Sequence, residues 1–371
     1  MLSNDLYKSE PRIHKTSSLY PIFHKVKNGT RITESDALTL FETNDIIELG
    51  MIANFVKERL SQDKIYYILN GHINYSNICQ LRCSFCSFSK SKTDIDAYQL
   101  SLEDIKNKFI EYNQRKINEI HIVGGLHPDL PFSFYTNMIK SIKNINPNIT
   151  VKAFTAVEIF HFSKLLNRSI DDILNDLKSS GLNFLPGGGA EIFNDSIRKK
   201  ICQNKISAQK WLEVHEIAHN NNIKTNATML FGHIETYKDR VDHLNQLRNL
   251  QDKTNGFLAF IPLTYHPDSN SLTSKRTSAI DELKTISISR IYLDNFPHIK
   301  AYWVMLGLKI AQIALNFGAD DFDGTVLEEK ITHSAGAKSP LMLSVTEIKH
   351  LIMESKKIPV ERDSFYNEIL N

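Results

Sequence analysis

The sequence predicts an α/β protein whose main part is a closed (β/α)8 barrel of the TIM type, preceded by an N-terminal helical extension. Three observations predict it. Strand-like runs alternate with helix-like runs from about residue 66 to residue 325, which is typical of parallel strands joined by crossover helices. The number of strand-like runs matches the eight strands that close such a barrel. Cysteines, glycines, histidines and carboxylates follow these runs directly, where the active sites of barrels lie.

The first 65 residues predict a polar helical extension. Thr33 precedes a helical pattern with Asp36 three residues later, as in a capping box. Apolar residues recur at helical spacing through residues 45–60. We expect the barrel to occupy residues 66–340, and residues 341–371 to form a C-terminal helical segment that closes the fold.

The elements of the barrel are predicted from changes in apolar periodicity. Strands are expected at residues 65–76, 119–123, 150–155, 182–185, 224–230, 256–263, 299–304 and 320–325. Helices are expected at residues 102–112, 132–142, 170–178, 207–219, 236–250, 281–294, 306–317 and 345–356.

Composition excludes several classes of protein. The 371 residues are 42% hydrophobic and 23% charged, with a net charge of +2, as in ordinary soluble globular proteins. The clustered basic excess of a nucleic-acid binder is missing, and no apolar run reaches the roughly 18 residues of a membrane span. The N-terminal sequence from Met1 lacks the apolar core of a signal peptide. We therefore expect a cytoplasmic protein.

Three of the four cysteines lie in one short stretch with C-x3-C-x2-C spacing, namely Cys79, Cys83 and Cys86. Thiolates at such close spacing let one loop bind one metal centre. A structural zinc site usually has a second pair of ligands, whereas a cubane cluster on three thiolates leaves one iron open to a substrate. Three buried structural cysteines are the remaining alternative. The fourth, Cys202, lies far away and is expected to take no part.

Residue types suited to ligand binding follow most of the other predicted strands. Glycine lets backbone amides approach a ligand closely, and imidazoles or carboxylates bind its polar groups. The candidates for a cofactor are Gly124, Gly125, Glu158, Gly187, Gly188, Gly189 and Glu191, and those for substrate carboxylates are His127, His233 and His266. Tight turns, surface salt bridges and packed histidines are the structural alternatives. His72 and His121 are assigned to the core, and the acidic run at 320–323 to a strand end.

With the aromatic Phe85 just before the last cysteine, residues 78–87 resemble the signature of the radical S-adenosylmethionine (SAM) superfamily. The resemblance implies a 4Fe-4S cluster on the three cysteines, with SAM chelated by the open iron and cleaved after transfer of one electron. It implies that Phe85 and the glycines and carboxylates named above bind SAM. A one-electron donor such as flavodoxin or ferredoxin would be the protein partner.

Longer stretches of the sequence resemble one particular family within this superfamily. Residues 72–79, 120–128, 152–158, 185–193, 225–233 and 298–305 are similar to the aminofutalosine (aminodeoxyfutalosine) synthases of menaquinone biosynthesis. These transferases add the 5′-deoxyadenosyl radical to 3-[(1-carboxyvinyl)oxy]benzoate, which gives 6-amino-6-deoxyfutalosine, methionine and bicarbonate or carbon dioxide. SAM is then a co-substrate. Two alternatives remain open: a hydrogen-abstracting radical SAM enzyme such as cyclic dehypoxanthinyl futalosine synthase, and a zinc-binding structural module.

Overall fold

Parallel strands joined by helices build the structure, as the alternating runs predict. The computed structural model describes residues 10–268, 272–273 and 275–370. Its strands are β1 (Lys64–Ile68), β2 (Asn70–Ile73), β3 (Glu119–Ile122), β4 (Thr150–Ala153), β5 (Phe184–Leu185), β6 (Lys224–Phe231), β7 (Phe257–Thr264), β8 (His298–Ile299), β9 (Asp321–Gly324) and β10 (Ile358–Glu361). Its helices are α1 (Tyr20–Lys27), α2 (Glu34–Glu42), α3 (Ile46–Ser61), α4 (Leu102–Gln114), α5 (Phe132–Ile145), α6 (Ala156–Leu166), α7 (Ile170–Ser179), α8 (Asp195–Ile201), α9 (Ala208–Asn220), α10 (Tyr237–Thr254), α11 (Ala279–Tyr292), α12 (Trp303–Leu306), α13 (Leu308–Ala314), α14 (Ile331–Ser334) and α15 (Val345–Glu354). Among these described helices, none combines the length and the apolar character that crossing a membrane requires.

Strands β2 to β8 form one parallel sheet in sequence order. The chain around β9 bridges both edges of this sheet. Lys300, just beyond β8, pairs with Asp321, and Gly71 of β2 pairs with Leu327. The amide of His72 donates to the carbonyl of Leu327 at 2.9 Å. The predicted (β/α)8 barrel is therefore confirmed, with β9 and the residues after it in the eighth strand position.

A second, three-stranded sheet of order β10-β1-β9 lies at the N-terminal end of the barrel strands. In it Lys64 of β1 lies opposite Ile358 of β10. The guanidinium of Arg362, just after β10, donates to Asp321 at 2.9 Å. The C-terminal segment thus contains the predicted helix as α15 and then a strand that was not predicted, because Pro359 and its half-exposed neighbours lack the usual strand pattern.

The predicted helical extension is present as α1 to α3, while residues 1–9 lie outside the described residues. The predicted capping box is observed, since Thr33 Oγ1 accepts from the amide of Asp36 and Asp36 accepts from the amide of Thr33. Ile52 and Ala53 of α3 are fully buried. The divisions of the chain at residues 65 and 340 stay predictions.

Several predicted strands are shorter than expected, including the one at 182–185, of which only β5 forms. The strand predicted at 299–304 is reduced to β8, and Trp303 already begins α12. A short apolar run is compatible with either structure. The strand predicted at 150–155 ends at Ala153, because Thr155 caps α6 and forms a capping box with Glu158. Glu158 therefore lies in the first turn of a helix and not in a loop.

Candidate active site

A cavity of about 330 Å³ lies inside the barrel, among residues within and just beyond its strands. The predicted cluster and cofactor residues all line it: Cys79, Cys83, Phe85, Cys86, Gly124, Gly125, Glu158, Gly187, Gly188, Gly189 and Glu191. Segments that are distant in sequence meet here because the C-terminal ends of parallel barrel strands share one mouth. The arrangement gives one loop of thiols facing several glycine-rich turns across a single cavity.

Backbone hydrogen bonds to neighbouring segments help to hold the cysteine loop in place. The amide of Cys79 donates to the carbonyl of Lys90 at 3.0 Å, and the amide of Ser84 donates to the carbonyl of Ile201 at 2.9 Å. The thiols of Cys79, Cys83 and Cys86 are free of disulfides. These contacts fix the path of the loop through its backbone.

Burial controls the protonation of these thiols. It raises the pKa of Cys83 above its ordinary value and the pKa of Cys86 to about 11, and the ammonium of Lys205 opposes both shifts. Because metals bind the thiolate, binding of iron here would release protons.

Lys205 joins two of the predicted cofactor residues. Its ammonium nitrogen lies 2.6 Å from Oε1 of Glu191 and 5.2 Å from the ring centroid of Phe85. The lysine and glutamate side chains are only 11% and 9% exposed, so the cation is held close to the cysteine loop in a poorly hydrated setting. The sequence analysis missed Lys205, because a single lysine in a loop carries no spacing signal.

Glu158 connects the helix that it caps to the barrel wall. Its carboxylate accepts from the Tyr75 hydroxyl at 2.7 Å and from the Thr155 amide at 2.7 Å. Burial raises the pKa of Glu158 to about 7, against the opposing effect of these hydrogen bonds. The group thus changes charge near neutral pH at the edge of the cavity.

Most of the cavity glycines are required by close backbone approach. A Cβ at Gly125 would lie 2.3 Å from the carbonyl oxygen of Ile78, and one at Gly187 would lie 2.7 Å from that of Asn226. Gly189 has a positive φ of +87°, which disfavours other residues. Gly188 differs, since its Cβ would meet only Cγ2 of Thr155, at 3.0 Å.

Gly188→Ala is therefore expected to weaken SAM binding at least about tenfold while changing the free energy of unfolding by less than about 1 kcal/mol. The added methyl group meets only Cγ2 of Thr155, a contact that a small shift of that side chain relieves, but it takes space at the cavity surface. Titration calorimetry of SAM into the anaerobic holoenzyme, together with urea unfolding, measures both quantities. Gly187→Ala is the comparison, and it should lower stability because its Cβ meets backbone. Lost stability with unchanged SAM affinity in Gly188→Ala would make this stretch a structural turn.

Of the three histidines predicted to bind substrate, only one lines the cavity. His266 lines the cavity, and its Nε2 lies 3.0 Å from the carbonyl of Met305. His127 and His233 are not among the lining residues. Nδ1 of His127 accepts from the amide of Asp129, and His233 is buried beside the carbonyl of Leu230. A substrate role for His127 and His233 stays a prediction that this placement does not favour.

Other residues line the cavity in their place. His72 and His121, which the sequence analysis assigned to the core, face it together with Lys152, Lys300 and Asp323. All lie within or beside barrel strands, and all are buried except His121, which is partly exposed. Since both faces of a parallel barrel strand are buried, the sequence pattern alone does not separate the cavity face from the helix-covered face.

Within the part of the chain that the structure describes, no three His, Cys, Asp or Glu side chains converge on a point suited to a single metal ion. A cubane cluster is bound through a different iron atom by each thiolate, so its protein ligands need not converge in this way. The three free thiols on one shaped loop fit that larger group.

Comparison with known proteins agrees with this site. The sequence model of the radical SAM superfamily matches residues 73–247, and that of the CofH/MqnC C-terminal region matches residues 254–369. The aminodeoxyfutalosine synthase of Thermus thermophilus is 42% identical over 95% of this chain and 96% of its own. That of Streptomyces coelicolor is 40% identical over 93% and 92%. The 5-amino-6-(D-ribitylamino)uracil–L-tyrosine 4-hydroxyphenyl transferase of Methanococcoides burtonii is 37% identical over 91% and 96%.

Solved structures share the fold at low sequence identity. Methylornithine synthase PylB has a TM-score of 0.73 and 18% identity, over 91% of this chain and 97% of its own. The hydrogenase maturase HydG of Carboxydothermus hydrogenoformans has a TM-score of 0.73 and 17% identity, over 93% and 80%. The resemblance inferred from the motifs is confirmed. The chain belongs to the radical SAM superfamily, in the group that carries the CofH/MqnC C-terminal region.

Proposed function

We propose that this protein is an aminodeoxyfutalosine synthase, a radical SAM transferase that joins the 5′-deoxyadenosyl group of SAM to 3-[(1-carboxyvinyl)oxy]benzoate in menaquinone biosynthesis. One observation carries the proposal. The free thiols and the glycine turns line one cavity, in a chain that is 42% identical to an aminodeoxyfutalosine synthase over nearly its full length.

The lining residues fit the implied cofactors. Cys79, Cys83 and Cys86 would bind a 4Fe-4S cluster as thiolates, beside the buried cation of Lys205. SAM would lie against Phe85 and the glycine turns, which line the cavity, with Glu158 and Glu191 near its polar groups. When bound, the cluster supplies one electron to SAM, whose cleavage gives methionine and a 5′-deoxyadenosyl radical.

The chain's own contribution is binding, orientation and exclusion of water. The adenosyl carbon would form a bond to the terminal carbon of the enol ether. The aryl group would then migrate from the ether oxygen to the neighbouring carbon, so that an aryl–carbon bond forms as the aryl–oxygen bond breaks. The substrate's carboxylate leaves as carbon dioxide or bicarbonate together with one electron, which balances the electron that entered. A barrel interior enclosed by strands holds both partners in near-attack geometry and keeps solvent from the radical.

We also propose a one-electron donor such as flavodoxin or ferredoxin, and a cytoplasmic location. Three cavity thiols that must stay reduced support the location, because the cytosol keeps cysteines reduced.

The fate of the adenosyl group tests the proposed reaction. Reduced holoenzyme given the enol-ether benzoate and SAM labelled in the adenine ring should deliver the label into 6-amino-6-deoxyfutalosine, with about one methionine per product, because addition retains the adenosyl skeleton. Liquid chromatography with mass spectrometry measures both products.

Label found chiefly in free 5′-deoxyadenosine, with the benzoate unchanged, would overturn the assignment and leave a hydrogen-abstracting radical SAM enzyme. Two parallel reactions identify which one. The first supplies tyrosine and 5-amino-6-(D-ribitylamino)uracil, the substrates named for the relative from Methanococcoides burtonii. The second supplies the substrate of cyclic dehypoxanthinyl futalosine synthase.

A further inference from the structure

Polar side chains lie side by side on three neighbouring strands inside the barrel. His72 of β2, His121 of β3 and Lys152 of β4 lie side by side in register, and all three line the cavity. The interiors of such barrels are ordinarily filled by branched apolar side chains. A row of imidazoles and an ammonium group in this position is costly to bury, which points to a ligand.

The opposite wall adds a second cation. Lys300, beyond β8, lies 2.8 Å from Asp323, and Lys152 lies 2.6 Å from Glu119. Both lysines are less than one-tenth exposed. Each ammonium has three N–H donors. Asp323 accepts one from Lys300, and Glu119 pairs with Lys152 as an ion pair. Each lysine therefore keeps donors for an acceptor that enters the cavity.

One ring nitrogen of each histidine lacks a hydrogen-bond partner. Nε2 of His72 and Nε2 of His121 are buried without a hydrogen-bond partner among the described residues, and the two rings lie 4.7 Å apart between centroids. Burial lowers the pKa of both, so each ring is neutral and has one N–H to donate. Buried polar atoms of this kind are nearly always satisfied, so a bound acceptor is expected.

We propose that His72, His121, Lys152 and Lys300 form a carboxylate subsite, which we call the floor subsite. Resting on the proposed function, this inference assigns the floor subsite to the ring carboxylate of the enol-ether benzoate. The thiols and glycine turns lie beyond the strand ends, whereas the floor subsite lies within or next to the strands and thus deeper in the barrel. The enol carboxylate is attached beside the reacting carbon, so the ring carboxylate is the acidic group that reaches farthest from SAM.

The floor subsite works through hydrogen bonds more than through excess charge. Glu119 and Asp323 already balance the two lysines, so an incoming carboxylate is recognised by the directed N–H groups of the histidines and by the unused donors of the lysines. Hydrogen bonds to a charged group contribute more than neutral ones. A ligand without the ring carboxylate would leave these donors unpaired.

Binding to the unreduced, SAM-loaded holoenzyme tests the subsite, because without an electron no turnover occurs. Anaerobic titration calorimetry compares 3-[(1-carboxyvinyl)oxy]benzoate with 2-phenoxyprop-2-enoate, which lacks the ring carboxylate. The native enzyme should prefer the benzoate by about 10- to 100-fold. His121→Leu should lose most of that preference, and His121→Gln, which keeps an N–H donor, should retain most of it.

Two further variants distinguish the loss of a donor in the floor subsite from a general effect of misfolding. Lys152→Met combined with Glu119→Gln removes a floor donor while keeping buried charge balanced, and it should also lower the preference. His215→Leu is the matched control, since His215 is a buried histidine with an unpartnered Nε2 outside the cavity lining, and its preference should be native.

The outcomes separate the two proposals. Equal affinity of the native enzyme for both ligands, or an unchanged preference in His121→Leu and in the double variant, overturns the floor subsite while labelled product still supports the synthase. If the native enzyme binds neither ligand and forms no labelled product, the proposed function fails and the floor subsite fails with it.

Discussion

Cys83→Ala is expected to abolish both iron binding and SAM cleavage while the protein stays folded. Two remaining thiolates are too few to hold a cubane cluster whose third ligand comes from this loop. The fold should survive because the loop is fixed by backbone hydrogen bonds such as that from Ser84 to Ile201. Iron and sulfide content after anaerobic reconstitution, methionine release under reduction and thermal unfolding measure the three effects. Cys79→Ala and Cys86→Ala should behave alike.

Cys202→Ala is the control for that series. Cys202 is 2% exposed at the C-terminal end of α8 and is not among the cavity-lining residues. Loss of its sulfur should cost about 1 kcal/mol of stability and leave iron content and SAM cleavage native. Native activity in Cys83→Ala, or loss of iron in Cys202→Ala, would contradict the assignment of the cluster.

Arg290→Met is expected to lower the free energy of unfolding by about 3–5 kcal/mol, because it leaves a buried carboxylate without its main partner. Arg290 and Asp320 are both fully buried and lie 2.5 Å apart. Asp320 also accepts from the amide of Ile299 at 2.9 Å, so the pair stabilises the place where β8 and β9 close the barrel. Urea unfolding measures the loss.

The pH dependence of that loss follows from the lowered pKa of Asp320. Burial by itself would raise this pKa, but Arg290 and His298 lower it to about 2. A lowered pKa stabilises the fold above the ordinary value of 3.8, and this stability is lost as the pH falls towards about 2. The advantage of the native protein over Arg290→Met should therefore be full at neutral pH and shrink in acid.

The exposed pair of Arg168 and Asp176, 2.6 Å apart and 40% and 43% exposed, provides the matched control. Arg168→Met should cost no more than about 1 kcal/mol. If Arg290→Met lowered the free energy of unfolding by as little as that, the closure of the barrel between β8 and β9 would not depend on this ion pair.

The fold and much of the candidate site follow from patterns that the sequence displays. The cysteine spacing marks one loop, and the alternation of strands and helices brings that loop to the same mouth as the glycine turns at Gly124 and Gly187. This prediction needs only the order of the elements and the rule that barrel chemistry lies at the C-terminal ends of strands.

The parts of the candidate site that the sequence does not predict depend on the direction in which individual side chains point. His127 follows a strand end as a cavity residue should, yet its ring turns back to the amide of Asp129. His72 and Lys152 lie within strands, where neighbours on both faces are buried, so periodicity gave no reason to place them in the cavity. Thr155 and Glu158 have the spacing of a capping box, but they directly follow a strand-like run, so the sequence predicts a strand that continues to Thr155.

The pairing of β1 with β10 has a consequence for the making of the protein. The two strands come from opposite ends of the described chain, with Lys64 opposite Ile358, and Arg362 then neutralises the buried Asp321. On the ribosome the underside of the barrel cannot be completed until Arg362 has left the exit tunnel. The cysteine loop emerges long before that. The cysteine loop is thus synthesised well before the strand that completes the sheet beneath the barrel.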